Sequence, residues 1–273
     1  MLSFRSIKQE ARKKSKSSAL VFCHNAHMAK ERTPRQLARE RITADLIEEG
    51  RRQLAEHGAA GLSLRSVARE LGMVSSAVYR YVDSRDDLLT RLIVEAYDSL
   101  GDAVEASLES SATAAPADRW VRAAHAVRDW ALERPHEYFL IFGTPVPGYA
   151  APEATAVAGT RASLALVRIV VEASERGQVD RNPGLPTARM SEELTEDFSV
   201  LRRSIEGGDQ LSDDLLLAVL VGWTQMFGLV SFEVSNQTRS VVENHREVRS
   251  VLLSTALPSR TGPGGSRPPN VSG

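Results

Sequence analysis

Apolar residues recur through most of the chain at intervals of three and four, which is the spacing of one face of an amphipathic helix. The most informative stretch runs from Leu62 to Asp87, where two short patterns of this kind stand close together. The apolar positions of the first pattern, which follows Ser63, are Leu64, Val67, Ala68 and Leu71. The pattern stops at Gly72, because glycine readily adopts the left-handed conformation that ends helices. The sequence therefore predicts two short helices joined by a tight turn over residues 72–74.

The second of these helices has a polar outer face. Ser75 or Ser76 is expected to cap it, because a serine hydroxyl can accept a hydrogen bond from a free backbone N–H group. The same spacing turns Val78 and Val82 inward. The side chains that point outward together are those of Ser75, Ser76, Tyr79 and Arg80, while Ala77 and Tyr81 flank the inward positions. Hydroxyl, phenol and guanidinium groups on one face suit an anionic groove that offers hydrogen bonds.

Two interpretations of this hairpin stay open at the level of pattern. It is either a solvent-exposed pair of helices with ordinary core residues, or a helix-turn-helix that places its second helix in the major groove of DNA. The short first helix, the glycine in the turn and the polar face of the second helix favour the DNA-binding interpretation. The rival function is a helical protein–protein adaptor without specific DNA binding.

Longer helical patterns surround the hairpin. Thr33, Pro34 and Gln36 have the spacing of a capping box with proline at the first helical position, and this helix is expected to run to Gly58. Gly50 inside it indicates close packing against a neighbour, because glycine costs about 1 kcal/mol relative to alanine in a helix. Ser84 and Asp87 form a second box that opens a long helix. Further patterns lie over Trp120 to Ala131, Pro152 to Gly177, Ser191 to Ile205, Leu211 to Val234 and Val241 to Leu253.

These patterns predict an all-α protein, since alternating strand-like runs are absent from the sequence. The stretch from Ser110 to Pro116 has small side chains and a proline, and it is the expected boundary between a small domain that contains the helix-turn-helix, called the reading domain, and a larger helical body. The predicted divisions are a disordered basic extension over 1–32, a helix-turn-helix domain over 33–87, a connecting helix over 88–110, a helical body over 111–257 and a disordered tail over 258–273.

Charge limits the ways in which this chain can bind nucleic acid. Residues 1–32 carry eight Lys and Arg against two Asp and Glu, so the rest of the chain is acidic. The span from Arg35 to Thr90 is balanced, with nine basic and nine acidic residues. Bulk charge therefore cannot drive DNA binding, and any contact must be local. Such a local contact is expected if the acidic residues of this span lie on faces turned away from the groove.

Other signals exclude several classes of protein. The single cysteine, Cys23, rules out an intramolecular disulfide and fits a reducing cytoplasm. No apolar run approaches the ~18 residues of a membrane span, so no membrane role is expected. The first 28 residues fit a disordered extension, or translation begun upstream of a start at Met28, better than a targeting signal. Cys23, His24 and His27 are interpreted as incidental residues of that extension, and no metal site is predicted.

No enzyme signature is found in the sequence. It has no glycine-rich phosphate loop before a helix, and its histidines are scattered without metal or triad spacing. No cofactor is therefore expected. The segment HEYFLIFGTPVPGY, which begins at His136, is dense in aromatic residues. Such a cluster is either plain core or the wall of a small-molecule pocket. The candidate pocket residues are Trp120, Trp130, His136, Tyr138, Phe139, Phe142, Trp223 and Phe227.

The stretch from Arg39 to Leu100 resembles the DNA-binding domain of TetR-type transcriptional regulators. The resemblance rests on AEHGAAGLSLRSVARELGM followed by SSAVYRYVDSRDDLL. By position, it implies DNA contacts from Ser63, Ser75, Ser76, Tyr79 and Tyr81 and a phosphate contact from Arg85. Val74 departs from the usual serine or threonine cap of the family, and Val82 from its usual phenylalanine.

The second half of the chain resembles the ligand-binding domain of one TetR branch, the type named for a Trp-His-Gly signature. The pieces that carry the likeness are ALERPHEYFLIFG and GWTQMFGLVSFE, with Trp223 and Gly228 in place and Phe227 where histidine would stand. The resemblance implies that Leu211 to Val234 and Val241 to Leu253 form a four-helix dimer interface.

Together these features predict a homodimeric repressor that binds a palindromic double-stranded DNA operator and is released by a small apolar or amphipathic effector. The helix from Leu88 to Leu100 is expected to transmit the conformational shift caused by the effector from the helical body to the helix-turn-helix domain. Arg85→Ala is expected to flatten the salt dependence of binding by about one phosphate contact, whereas Tyr79→Ala is expected to change operator preference.

Overall fold

The computed structural model describes residues 33–179, 190–238 and 244–254. Its regular elements are all helices, which confirms the predicted all-α class. In chain order, the α-helices are α1 (Pro34–Gly61), α2 (Leu64–Glu70), α3 (Ser75–Val78), α4 (Arg85–Ser110), α5 (Pro116–Glu133), α6 (Pro135–Phe142), α7 (Glu153–Glu175), α8 (Glu192–Ser204), α9 (Asp213–Val234) and α10 (His245–Ser254), with a 3-10 turn at Gly208–Gln210 before α9. The predicted N-terminal extension and C-terminal tail lie outside the described residues.

The chain divides into two compact units. Within the described residues, the first unit contains 33–106 and 126–164, and the second contains 107–125 and the residues after 164. The whole helix-turn-helix segment therefore belongs to the first unit.

Helix α1 begins as the sequence predicted. The Thr33 hydroxyl accepts from the Gln36 backbone N–H, and the Gln36 side chain accepts in return from the Thr33 N–H, with an N···O distance of 2.8 Å. Gly58 interrupts the helix with φ +68°, and one further turn continues to Gly61. A Cβ atom at Gly50 would lie 3.2 Å from a methyl carbon of Leu88, so the predicted close packing at this glycine is confirmed.

Helix α4 begins at Arg85, directly after the predicted cap Ser84 and three residues before the predicted domain boundary at 88. The Ser84 hydroxyl accepts from the Asp87 N–H at 3.0 Å, as a capping box requires. The Asp87 carboxylate, however, reaches the N–H of Asp83 at 2.9 Å, one residue before the N-cap. Further along the helix, the guanidinium of Arg161 donates to the carboxylates of Asp102 and Glu105, each at 2.6 Å.

The second unit contains the most apolar helix of the described chain. Ser212 caps α9 by accepting from the Leu215 N–H at 3.2 Å, so the helix begins two residues after the predicted Leu211. Helix α10 begins at His245, whereas residues 241–243 of its predicted range lie outside the described residues.

Two helices, α7 and α9, are long and apolar enough to cross a membrane by length and composition. This corrects the sequence expectation, which considered only uninterrupted apolar runs and so passed over helices with isolated polar residues. Core helices of globular proteins satisfy the same criterion, and half of the apolar window of α7 is buried within the chain. Only 39% of the corresponding window of α9 is buried.

Candidate nucleic-acid interface

Helices α2 and α3 form the predicted helix-turn-helix. Helix α2 ends before Gly72, which has φ +64°, and no atom lies within 4 Å of the place where its Cβ would be. Glycine is needed there for its backbone conformation and not for space. Val67, Val78 and Val82 have no solvent exposure, as the pattern of inward positions predicted. Helix α3 is a single turn, and backbone hydrogen bonds from Arg80, Tyr81 and Val82 extend it as a tight turn.

The predicted cap of the second helix is wrong. The N-cap residue is Val74, and neither Ser75 nor Ser76 accepts a capping hydrogen bond, because these serines already occupy the first two helical positions. The sequence rule looks for a side-chain acceptor, which valine lacks, and so it pointed to the next polar residue. Both serines are exposed and make no side-chain hydrogen bond with a described residue, so their hydroxyls are available to a ligand.

The other outward residues surround these serines. Tyr79 is 52% exposed, Arg80 is exposed and Tyr81 is half-buried. The guanidinium carbon of Arg39, on α1, lies 5.6 Å from the centre of the Tyr81 ring, within the range of a cation–π interaction. Arg39 was not among the predicted site residues, because it stands 42 positions before Tyr81 in the sequence.

A buried polar chain supports the start of α2. The Gln53 side chain, 2% exposed, donates to Glu49 at 3.1 Å, and its carbonyl oxygen lies 3.4 Å from the N–H of Ser63. Hydrogen bonds from Arg52 hold the pKa of Glu49 below its ordinary value of 4.5, although burial opposes them. Ser63 itself is half-buried, and its predicted DNA contact stays a prediction.

Arg85 makes contacts inside the protein. Its guanidinium donates to the carbonyl oxygen of Ala59 at 2.7 Å and to that of Leu62 at 3.0 Å, and it lies 3.3 Å from the Asp86 carboxylate. These bonds join the first turn of α4 to the residues that end α1 and precede α2. The phosphate contact expected of Arg85 stays a prediction, whereas its role in holding the helix-turn-helix is visible in the structure.

The charge balance of residues 35–90 hides an uneven distribution. Four of the nine arginines form ion pairs with acidic side chains: Arg51, Arg52, Arg69 and Arg85. The other five are exposed and form no ion pair with a described residue: Arg35, Arg39, Arg41, Arg65 and Arg80. An equal count of charges is therefore compatible with a local cationic surface.

Five of the eight candidate pocket residues lie in the first unit. Tyr138 is buried and packs against Phe139 and Phe142, with ring centroids 5.8 and 5.2 Å apart. Trp130 is also buried, and its indole N–H donates to the Ser99 hydroxyl at 3.0 Å. His136 and Phe139 are exposed. The structure thus places these residues partly in the core of the unit and partly on its surface.

Two functional groups beside this cluster were missed. The Tyr97 hydroxyl donates to the Ile141 carbonyl oxygen at 3.3 Å, and burial raises the pKa of Tyr97 to about 12. Glu137 is a buried carboxylate whose oxygen lies 3.1 Å from Nε of Arg51, which also donates to Glu95 at 2.8 Å. The acidic residue within the apolar run PHEYFLIF was the available sequence signal.

The second unit holds the other candidates, Trp120, Trp223 and Phe227. Trp120 has no solvent exposure, and its buried indole N–H has no hydrogen-bond partner among the described residues. The same is true of the indole N–H of Trp223, whose ring meets that of Phe227 at 5.5 Å. The neighbouring Arg119 pairs with Glu172 at 2.7 Å, yet its Nε–H also lacks a partner. Buried donors are almost always satisfied, so these three require an explanation.

Comparisons with known proteins agree with this geometry. Residues 46–92 match the family described as bacterial regulatory proteins, tetR family, and residues 120–255 match the tetracyclin repressor-like C-terminal domain. HTH-type transcriptional regulators of Mycobacterium bovis and Mycobacterium tuberculosis are 40% identical to the chain over 217 residues, which cover 79% of this chain and 88% of each relative.

Solved structures show the same fold. The regulatory protein SCO4313 is 30% identical with a TM-score of 0.62, and the match covers 82% of this chain and 98% of that protein. A protein from Rhodococcus sp. RHA1 is 21% identical with a TM-score of 0.59, over 79% of this chain and 95% of its own. The chain belongs to the TetR family of transcriptional regulators, and α2 and α3 are its DNA-binding helix-turn-helix.

Proposed function

We propose that this protein is a ligand-responsive repressor that binds a palindromic operator as a homodimer in the cytoplasm. The observation that carries the proposal is an apolar stripe on α9. Val221 and Phe232 are 49% and 51% exposed, and a Cβ atom at Gly228 would meet nothing within 4 Å. Their spacing of seven and eleven residues puts all three within a narrow arc of one helix face.

A second copy of α9 is the partner that fits this stripe. Exposed apolar side chains favour burial against an apolar surface, and the glycine between them allows two helix backbones to approach closely. Helix α10 adds Val251, which is 61% exposed. A closed dimer with twofold symmetry then presents two reading domains to DNA.

The operator contacts come from the outward face of α3 and the turn after it. In a twofold dimer, the two α3 helices enter successive major grooves about 34 Å apart, which requires a palindromic site. We assign base contacts to Ser75, Ser76, Tyr79 and Arg80, whose exposed groups include hydroxyls and a guanidinium that can bond base edges.

We place the effector-binding site in the larger helical body, residues 111–257. The buried N–H donors of Arg119, Trp120 and Trp223 have no partner among the described residues and can only donate, which supports an effector that supplies a hydrogen-bond acceptor to at least one of them. We therefore propose an apolar molecule that carries a carbonyl or carboxylate oxygen. Release from DNA requires that it favour one geometry of the protein by about 1–3 kcal/mol, and α4 carries that change along its length to the helix-turn-helix.

A mobility shift with the purified full chain tests the operator. The probe is the DNA that flanks the protein's own gene, and a scrambled duplex serves as competitor. We expect retardation that the scrambled duplex does not remove, at two chains per site. Equally tight binding to any sequence would contradict the repressor and support the adaptor.

The effector is tested on the same complex with pairs of apolar compounds that differ only in a carbonyl or carboxylate oxygen. Only the oxygen-bearing member of a pair is expected to release the DNA. Trp120→Phe removes the indole N–H and keeps an aromatic ring, so this variant should need a higher concentration for release. Equal release by hydrocarbons without an acceptor would overturn the assignment.

A further inference from the structure

Arg39 has an unusual combination of properties for an arginine of this chain. It is exposed, it forms no ion pair with a described residue, and its guanidinium lies over the ring of Tyr81 at 5.6 Å. Tyr81 stands directly after the outward residues Tyr79 and Arg80. The stacking therefore holds a cation from α1 next to the turn that follows α3, residues 79–82, which we call the reading turn.

Stacking leaves the hydrogen-bonding capacity of Arg39 intact. A guanidinium is planar, and its five N–H donors lie in the plane, so the face can contact an aromatic ring while the edges bind phosphate oxygens. Arg85 has fewer donors left for a phosphate, because its Nε–H and one terminal N–H already bond the carbonyl oxygens of Leu62 and Ala59. Arg39 is thus more available to a phosphate beside the reading turn than Arg85, and Arg80, the other exposed arginine there, is assigned above to base contacts.

Two other exposed arginines of α1, Arg35 and Arg41, lie close to Arg39 in the sequence. Arg35 lies one turn before Arg39 on the same helix face, because residues four apart are neighbours on a helix, and it is also exposed and forms no ion pair with a described residue. Arg41 is exposed and likewise forms no ion pair within the described ranges, but two positions correspond to about 200° around the axis. Arg41 therefore points away from Tyr81 and provides a matched control.

We propose that Arg39 binds a DNA phosphate and that the Tyr81 ring holds its guanidinium in position for that contact. The proposal rests on DNA binding by the helix-turn-helix and adds a site on α1 that recognises the nucleic-acid backbone. Since phosphates carry no sequence information, Arg39 contributes to affinity and register and not to the choice of bases.

The salt dependence of binding separates this role from a structural one. The full-length Arg39→Ala variant is expected to bind roughly tenfold more weakly to operator and scrambled DNA alike. The slope of log affinity against log salt should flatten by about 1.8 for a dimer, because each lost phosphate contact contributes about 0.9. Arg39→Lys keeps the charge and should retain most of the slope. Arg41→Ala should leave both quantities unchanged.

The positioning role of the ring is tested by a double-mutant cycle. Tyr81→Phe keeps the ring face and should preserve the salt slope, whereas Tyr81→Leu should flatten it. Adding Arg39→Ala to Tyr81→Leu should cost less than Arg39→Ala alone, because the two residues act as one unit. Fully additive losses would overturn the pairing.

Measurement on both the operator and the scrambled duplex distinguishes failure of the phosphate assignment from failure of the proposed operator recognition. An unchanged slope for Arg39→Ala on both duplexes, with unchanged thermal stability, would overturn the phosphate assignment. Equal wild-type affinity for operator and scrambled DNA would contradict the proposed operator recognition instead, and the slope measured on either duplex would still decide the role of Arg39.

Discussion

The reading segment, residues 64–82, and the C-terminal helix pair, α9 and α10, differ in how far their apolar side chains are buried. In residues 64–82, the valines at Val67, Val78 and Val82 are completely buried, and most of the outer face is polar. In α9, by contrast, Val221 and Phe232 remain about half exposed although the helix is the more apolar element. Apart from Val74, which is 70% exposed, the valines of the reading segment are buried within one chain, whereas α9 leaves two large apolar side chains about half exposed.

This difference shows which kind of partner each region requires. A surface of hydroxyls and unpaired arginines suits a polyanion with hydrogen-bonding edges, and its affinity depends strongly on salt. An apolar stripe suits another apolar stripe, and its affinity depends on the area removed from water. The two regions therefore respond to opposite kinds of substitution.

The largest effect is expected from a charge placed on the apolar stripe. Val221→Arg would bury an unpaired charge in the proposed dimer, which typically costs about 3–5 kcal/mol. We expect a monomer in sedimentation and loss of operator binding, with helical content unchanged. Glu193→Arg, on the exposed side of α8, is the matched control and should stay dimeric. A Val221→Arg variant that remains a dimer would show that the stripe has another partner.

A smaller effect is expected inside the reading domain. Arg85→Ala removes the donors that satisfy the carbonyl oxygens of Ala59 and Leu62, and we expect a loss of about 1–3 kcal/mol in the free energy of unfolding. Urea denaturation measures this loss. Arg65→Ala, at an exposed and unpaired arginine, should change stability by less than about 0.5 kcal/mol.

The same variant distinguishes two roles for Arg85. If it is only a phosphate contact, Arg85→Ala will flatten the salt dependence of DNA binding and leave the unfolding free energy unchanged. If it holds the domain together, as the structure indicates, stability will fall on its own, in the absence of DNA.

The smallest effect concerns the pH dependence of the first unit. Burial raises the pKa of Glu137 above its ordinary value of 4.5, although Arg51 and Arg134 oppose the rise. As pH increases from about 4.5 through this raised pKa, the unfolded chain loses the proton first, so the folded state loses stability. Glu137→Gln should remove that part of the decline in urea unfolding measured from pH 4 to 7. Glu95→Gln, which alters a more exposed partner of Arg51, should retain most of it, because Glu95 raises the pKa of Glu137 less than burial does.

Local features were predictable from the sequence, because they depend on residues a few positions apart. The cap at Thr33, the turn at Gly72 and the inward positions Val78 and Val82 all follow from helix spacing and backbone preference. The close packing at Gly50 also had a local signal, since glycine is unfavourable in a helix without such a reason.

The contacts that define the candidate interface were not predictable in this way. Arg85 bonds carbonyl oxygens 23 and 26 positions earlier, and a periodic pattern contains no information about such pairs. The resemblance to a family identified Arg85 as a basic residue in the right place, but it could not show that the protein already uses the side chain. The resemblance already placed Val74 at the cap position, but the capping rule pointed to Ser75 or Ser76 because valine has no side-chain acceptor.

The separation of stability from recognition in the reading domain has an evolutionary consequence. Ser75, Ser76 and Arg80 are exposed, and their side chains make no hydrogen bond or ion pair with a described residue. The fold is instead maintained by the buried side chains of Val78 and Val82 and by the hydrogen bonds from Arg85 to backbone carbonyl oxygens. Duplicated genes for such a protein can therefore acquire new operators through changes at the outward positions, without first acquiring mutations that compensate for lost stability.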